Sequence, residues 1–160
     1  METGQRVGDR LSGYYHGAVR SLAWDGEWII TGGDGDIRLW NGRSGSSVGD
    51  SLITLSRAKG FESISSVGVS RAGRFAAVGS TVGMVSVWDV VSREKIGGYF
   101  AAHSSRVSRV LIVGEGDYVV SGGDDGYVRV WDIKADKEIF QPISGPASVV
   151  DLEMSKAVVS

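Results

Sequence analysis

The chain has 160 residues, 42% apolar and 22% charged, with a formal net charge of −2. That composition is ordinary for a globular protein and shows no basic face of the kind a nucleic-acid binder presents. With no cysteine, a disulfide framework and a thiolate metal site are both excluded. No run of about 18 apolar residues occurs to span a membrane, and the opening METGQRVGDR is too polar for a signal peptide. The expected setting is therefore intracellular, in cytoplasm or nucleus. Twenty-four glycines against two prolines point to many tight turns.

Residues 2–15, ETGQRVGDRLSGYY, read as a turn and then one strand. A first copy of a longer pattern starts at His16, with Val19, Leu22 and Trp24 on an inner strand and Trp28, Ile29 and Ile30 on a second. The segment TGGDGDIRLWN, from Thr31 to Asn41, reads as the hairpin that follows, and Val48 to Leu55 form an outer strand. Asp-Gly is a strong hairpin signal, and glycine reaches backbone angles that other residues avoid. A second copy from about Gly60 places Ile64, Val67 and Val69 inward, then Phe75 to Val78, then Val85 to Trp88, and closes on Ile96 to Ala101.

The third copy runs from His103 through Val107, Val110 and Ile112, then Tyr118 to Ser121, and then SGGDDGYVRVWD from Ser121 to Asp132. There Val128 and Val130 alternate with Arg129, so one face is buried and the other wet. An outer strand is expected near Glu138 to Ile143. A fourth start places Val149, Val150 and Leu152 on an inner strand and Ala157 to Val159 on a second. No helical periodicity competes, and the fold class is all-β. The closing tryptophans Trp40, Trp88 and Trp131 lie 48 and 43 residues apart (88−40 and 131−88). Self-similarity at that period is the sign of a β-propeller with four strands per blade.

On these hairpins and closing tryptophans the chain resembles the WD-repeat family almost from end to end, and the third copy resembles it most closely. The resemblance implies a β-propeller arc of three complete four-stranded blades with partial blades at both ends. Residues 1–15 would be the outer strand of an incomplete blade, because a Thr-Gly turn in this family joins a blade's third strand to its outermost one. Repeats would follow at 16–58, at 59–102 in degenerate form, at 103–145, and from 146–160 as the start of a fourth. Such a count does not close a ring. The expectation is therefore a part of a larger propeller, or one completed by another chain, since an open arc leaves unpaired strand edges.

The resemblance also assigns a hydrogen-bonded tetrad to His103, Ser121, Asp125 and Trp131. Physically, Asp accepts one imidazole N–H, the other ring nitrogen accepts from the hydroxyl, and the hydroxyl oxygen accepts the indole N–H. A second tetrad would be His16, Thr31, Asp34 and Trp40, at shorter spacing: His16 to Trp40 is 24 residues, against 28 from His103 to Trp131. The second copy has Gly60, Val78 and Val82 at those places and keeps only Trp88. Removing all three polar members together leaves no orphaned group.

Several constellations suggest chemistry. His103, Ser121 and Asp125 could be taken as a hydrolase triad, but Ser121 ends a strand and lies in no G-x-S-x-G elbow. Asp34-Gly35-Asp36 and Asp124-Asp125-Gly126 lack the spaced acidic ligands of a calcium loop and read as turns. No phosphate-cradling glycine motif is present. Glu62, Arg109 and Asp151 are scattered inner-strand charges, and Arg106, Arg109 and Arg129 read as solvated strand-face residues. No catalytic residue, cofactor or metal ligand is therefore expected.

The resemblance implies a non-catalytic interaction scaffold that binds other proteins or peptides through its top face, built of loops on a rigid ring. That face selects Ser104, Arg106 and Asp124 in the third copy, with Ala18 and Gly33 in the first. Trp24 is expected in the core, and Trp28 is expected to be partly exposed as a candidate aromatic anchor. Two alternatives stand beside this reading. One is a nucleic-acid or ribonucleoprotein component, which would show steep salt dependence. The other follows from ETGQRVGDRLSGYYHGAVRSLAW, which resembles repeats in the C-terminal sensor propellers of larger fungal signalling ATPases; it sets a prior only.

Overall fold

The computed structural model describes residues 17–34, 36–49, 53–54 and 63–144. The expected strands within 1–15 and 146–160, together with His16, Gly60, Glu62 and Asp151, lie outside the described residues. Among the described residues there is no helix, and thirteen strands form three antiparallel sheets.

The first sheet runs β1 (Val19–Trp24), β2 (Trp28–Gly33), β3 (Asp36–Asn41) and β4 (Ile53–Thr54) in spatial order. The second runs β5 (Ile64–Val69), β6 (Phe75–Ser80), β7 (Met84–Asp89) and β8 (Glu94–Ala101). The third has β9 (Val107–Val113), β10 (Tyr118–Gly123) and β11 (Tyr127–Asp132), with its outer position shared by β12 (Lys137–Glu138) and β13 (Ile143–Ser144). The expected outer strand from Glu138 to Ile143 is thus interrupted. Pro142 stands in the gap and has no N–H to give the ladder. Sequence-consecutive strands pair as a meander requires, except that β12 and β13 both pair with β11, and each sheet is one propeller blade.

Register makes the three blades superimposable. Trp40 lies opposite Ile29, Trp88 opposite Ala76, and Trp131 opposite Val119. One apolar core joins Ile30, Ile37 and Leu39 of the first blade to Ile64, Val67, Ala76 and Val78 of the second. Another joins Val85, Val87 and Phe100 of the second blade to Val107, Val110, Val119 and Trp131 of the third. The indole of Trp131 stacks on Phe100 with ring centres 4.6 Å apart. Trp88 likewise packs on the core shared with the first blade. These two tryptophans therefore face the preceding blade.

What brings the blades together is glycine at one inner position. A Cβ on Gly32 would lie 2.7 Å from both Ile64 and Val67, and one on Gly79 would lie 2.5 Å from Val107. Neighbouring hydroxyls then tie the inner strands. The Val67 N–H donates to Ser21 Oγ at 3.1 Å, and the Val110 N–H donates to Ser66 Oγ at 3.0 Å. Ser21 and Ser66 occupy the same register position, opposite Gly32 and Gly79. Ser65 adds a bond to the Val107 carbonyl at 2.5 Å.

A third repeated contact sets an aromatic ring against the next blade's turn. Trp28 lies where Gly73 would carry a Cβ, and Phe75 lies where Gly116 would carry one, at 2.4 and 2.1 Å. Both glycines have left-handed φ, +67° and +102°, so the turn itself also calls for them.

Three expectations need correction. Trp24 is not a core residue: it is 64% exposed, with Val19 and Leu22 exposed beside it on the expected inner strand. In β1 the residues half-buried toward the second blade are Ser21 and Ala23, so the strand's phase is opposite to the one expected. Trp28 instead packs against the core shared by the first two blades. Arg129 is not freely solvated, since its Nη1 donates to both carboxylate oxygens of Glu138 at 3.0 Å. Arg109 is half-buried rather than solvated.

Gly79→Ala forces the Val107 side chain outward in a close-packed core. It should lower unfolding free energy by about 1–3 kcal/mol, read as a shift in the urea midpoint. An unchanged midpoint would show that the blades do not approach this closely.

Candidate functional site

The turns between second and third strands, and the segments entering each inner strand, lie at one end of the sheets. In the third blade that end is organised by His103, whose side chain is fully buried. Its Nδ1 is 2.9 Å from Asp125 Oδ1, and its Nε2 is 2.9 Å from Ser121 Oγ. Trp131 Nε1 lies 3.5 Å from the same hydroxyl. A consistent assignment has Nδ1–H donating to Asp125, Ser121 donating to Nε2, and Trp131 donating to Ser121. The Asp125 carboxylate also accepts the Ser104 and Tyr127 N–H groups at 3.0 and 3.2 Å. Burial raises its pKa, but the hydrogen bonds from His103, Ser104 and Tyr127 outweigh that and hold it below the ordinary aspartate value.

The first blade uses part of this arrangement. Trp40 Nε1 donates to Thr31 Oγ1 at 2.8 Å. Asp34 has other partners: Arg20 grips both carboxylate oxygens, Ser63 of the second blade donates at 2.9 Å, and the Ala18 N–H donates at 3.4 Å. The Arg20 hydrogen bond, followed by that of Ser63, holds the Asp34 carboxyl well down, at about 2. Asp34 is therefore a tie between blades as well as a turn residue.

The second blade keeps neither histidine nor acid. Val78 is buried in the core, and Val82 is exposed on the turn. Two serines take over the polar work. Ser80 Oγ accepts the Val82 and Met84 N–H groups at 3.3 and 3.0 Å, capping the turn. Ser86 accepts the Trp88 indole N–H at 2.9 Å. Sequence reading missed both. Ser86 stands where the other copies have Arg38 and Arg129, and that contrast was the available signal.

Of the residues selected for partner contact, Ser104, Arg106, Asp124 and Ala18 are exposed at this end. The Asp124 N–H donates to the Arg106 carbonyl at 2.9 Å, so these two residues are neighbours. Gly33 is corrected. It is buried, and a Cβ there would lie 2.0 Å from the Ala18 carbonyl oxygen. Its role is to let two backbones touch. Among the described residues no cluster of three or more His, Cys, Asp or Glu could hold a metal. No helix of the described residues is long and apolar enough to cross a membrane.

Three antiparallel sheets stacked face to face, two of four strands and one whose outer position is split between two short strands, each with an indole turned to a strand hydroxyl, define blades of a β-propeller. The family model for the WD domain, G-beta repeat, matches residues 8–41 and 94–132. Each match ends one residue after a closing tryptophan, Trp40 or Trp131, and neither includes Val78 or Val82. Two stretches of the chain thus carry WD repeats, and the fold that contains them is a β-propeller.

Its backbone is similar to that of the computationally designed Ika4 protein, with a TM-score of 0.75 and 22% identity over 96% of this chain and 88% of that one. It is also similar to the RRP9 WD40 repeats and to U3-55K, each with a TM-score of 0.74 and 20% identity over 86% of this chain. The chain spans 42% of the length of those two structures. At such identities the likeness is one of fold.

Two outcomes are expected. His103→Ala leaves the buried Ser121 O–H without its acceptor and takes one hydrogen bond from Asp125, and should cost on the order of 2 kcal/mol in chemical denaturation. A change within error would remove the network from the account. In acid, Asp34 and Asp125 have folded-state pKa values below their unfolded ones. Their contribution is present above about pH 4 and is lost as pH falls toward about 2. The melting temperature should fall across that window, and Asp34→Asn should flatten the fall. A parallel curve for Asp34→Asn would count against the Arg20–Asp34–Ser63 tie.

Proposed function

We propose that the protein is a non-catalytic scaffold that binds other proteins or peptides at the end of the propeller carrying Ser104, Arg106 and Asp124. One observation carries the reading. The only His, Ser and Asp that could resemble a catalytic set among the described residues are locked inside the blade. Ser121 is fully buried and the His103 side chain is wholly inaccessible, so no substrate atom can reach the hydroxyl. Both imidazole nitrogens are engaged, which suits a network that fixes strand register rather than one that moves protons.

Rigidity at this end supports recognition. Asp125 holds the Ser104 backbone and Asp124 the Arg106 backbone, so the exposed side chains above them project from a fixed base. A surface ordered before association avoids much of the entropic cost of binding. Ala18 and Asp34 present the same end in the first blade, with Arg20 beside them.

Affinity capture with the wild-type chain and with an Arg106→Glu/Asp124→Lys variant tests the proposal. Proteins held by the wild type should be lost from the charge-reversed variant while its melting curve is unchanged. Retention of the same proteins by both would overturn this choice of surface.

A further inference from the structure

The opposite end of the blades carries a second surface. Between the first two blades lies a cleft of about 390 Å³ lined by Trp28, Leu39 and Val48 on one side and by Val90, Val91, Arg74 and Arg93 on the other. Val91 is 81% exposed at its mouth. Arg74 donates its Nε to Asp89 at 3.1 Å, and Arg93 donates one Nη2 hydrogen to the Val48 carbonyl at 3.0 Å. These single bonds fix the direction of each fork and leave further N–H donors of a five-donor group at the cleft.

The internal repeat supplies the comparison. Register aligns Trp28 with Phe75, Arg74 with Asp117, Val91 with Lys134, and Arg93 with Asp136. Arg93 and Asp136 share left-handed φ values of 61° and 52° in equivalent turns. The matching edge between second and third blades is therefore acidic, with Glu115, Asp117 and Asp136 against one lysine. There Lys134 is paired to Asp117 at 3.1 Å, and Asp136 accepts the Gly98 N–H at 2.9 Å. Blade geometry thus does not require arginine at these places. This cleft combines an apolar floor with two cations, and its counterpart between the second and third blades does not.

We propose that the cleft between the first and second blades binds an extended acidic peptide segment of a partner protein. One apolar side chain seats against Trp28 and Val90, and flanking carboxylates pair with Arg74 and Arg93. This deepens the scaffold reading and rests on it, but it uses the other end of the blades. The volume lies within the range of sites that hold a small ligand. Planar guanidinium forks suit carboxylates, which they can hold by two parallel hydrogen bonds.

The test uses fluorescein-labelled decapeptides with a central Leu, Ile, Phe or Trp flanked by Asp and Glu, and the same set flanked by Lys. Fluorescence anisotropy is read against the whole chain. Acidic peptides should bind and lysine peptides should not. Arg74→Glu/Arg93→Glu should weaken binding at least about tenfold, the equivalent of about 1.4 kcal/mol. Should that variant lose its fold with the Val48 bond, Val91→Asp keeps the backbone N–H that donates to Asp89, places a carboxylate at the mouth of the cleft and should give the same loss. Arg106→Glu should leave peptide affinity unchanged. Binding by no acidic peptide, equal binding by lysine peptides, or full affinity in Val91→Asp would each overturn the proposal. Loss on Arg106→Glu would do so too, by moving the peptide to the other end. Partner capture that ignores Arg106→Glu while peptides still need Arg74 and Arg93 would instead remove the first surface and keep this one.

Discussion

Close approach of neighbouring inner strands is the constraint on which this propeller depends. Gly32 and Gly79 leave no side chain between blades, so Ile64, Val67 and Val107 fill that space from the next sheet. Once the sheets are this close, a serine hydroxyl on one blade reaches a backbone N–H on the next. Packing and hydrogen bonding therefore reinforce each other. The N–H groups of Val67 and Val110, which have no ladder partner on that side, are satisfied by the same arrangement. Removing the glycine would break the polar contact as well as the apolar one, since a strand displaced by even half an ångström takes its neighbour's donor out of reach.

The polar tetrad is secondary to that constraint, and the second blade shows why. It has no serine at 78 and no acid at 82, yet its four strands keep the register of the other two blades. The indole N–H, the one tetrad donor left behind, is taken up by Ser86, and the turn amides by Ser80. A buried network is costly when half satisfied and dispensable when removed whole. Copy two lacks the histidine, hydroxyl and acid together, keeps Trp88, and has local serines that take up the remaining donors. In the third blade the full network does more than the blade needs, and its additional effect is to fix Ser104 and Tyr127 at the end of the sheet.

Much of this was legible in the sequence, because strand alternation and the spacing of the Trp-terminated hairpins are properties of single segments. Ser121, Asp125, Trp131 and Thr31 could be paired on paper since the hairpin that joins them has a fixed register. Trp24 was misplaced for a physical reason. In β1 both phases offer apolar residues, Leu22 and Trp24 on one face and Ala23 on the other, and the smaller set faces the second blade because the approach there leaves room for nothing larger. A scale that ranks residues by hydrophobicity chooses the wrong face. The partners of Asp34 were out of reach for a different reason, as Ser63 belongs to another blade and 29 residues separate them. Contacts between blades depend on how sheets stack, which no single strand encodes.

Which positions vary among the three copies follows from the same distinction. Places that decide stacking hold glycine, serine or an aromatic ring in succession, as Gly26, Gly73 and Gly116 do in the first turn and Trp28, Phe75 and Tyr118 do at the start of the second strand. The side chain just before that aromatic is Glu27, then Arg74, then Asp117, and the left-handed place in the outer turn is Gly45, then Arg93, then Asp136. Sheet stacking is indifferent to charge there, because these groups project beyond the strands. Even so, Arg93 and Asp136 each reach back to the preceding blade, one as donor to Val48 and the other as acceptor from Gly98. One backbone geometry thus accepts opposite charges at the same place, so the propeller can change the sign of its outer clefts without altering the ring that carries them.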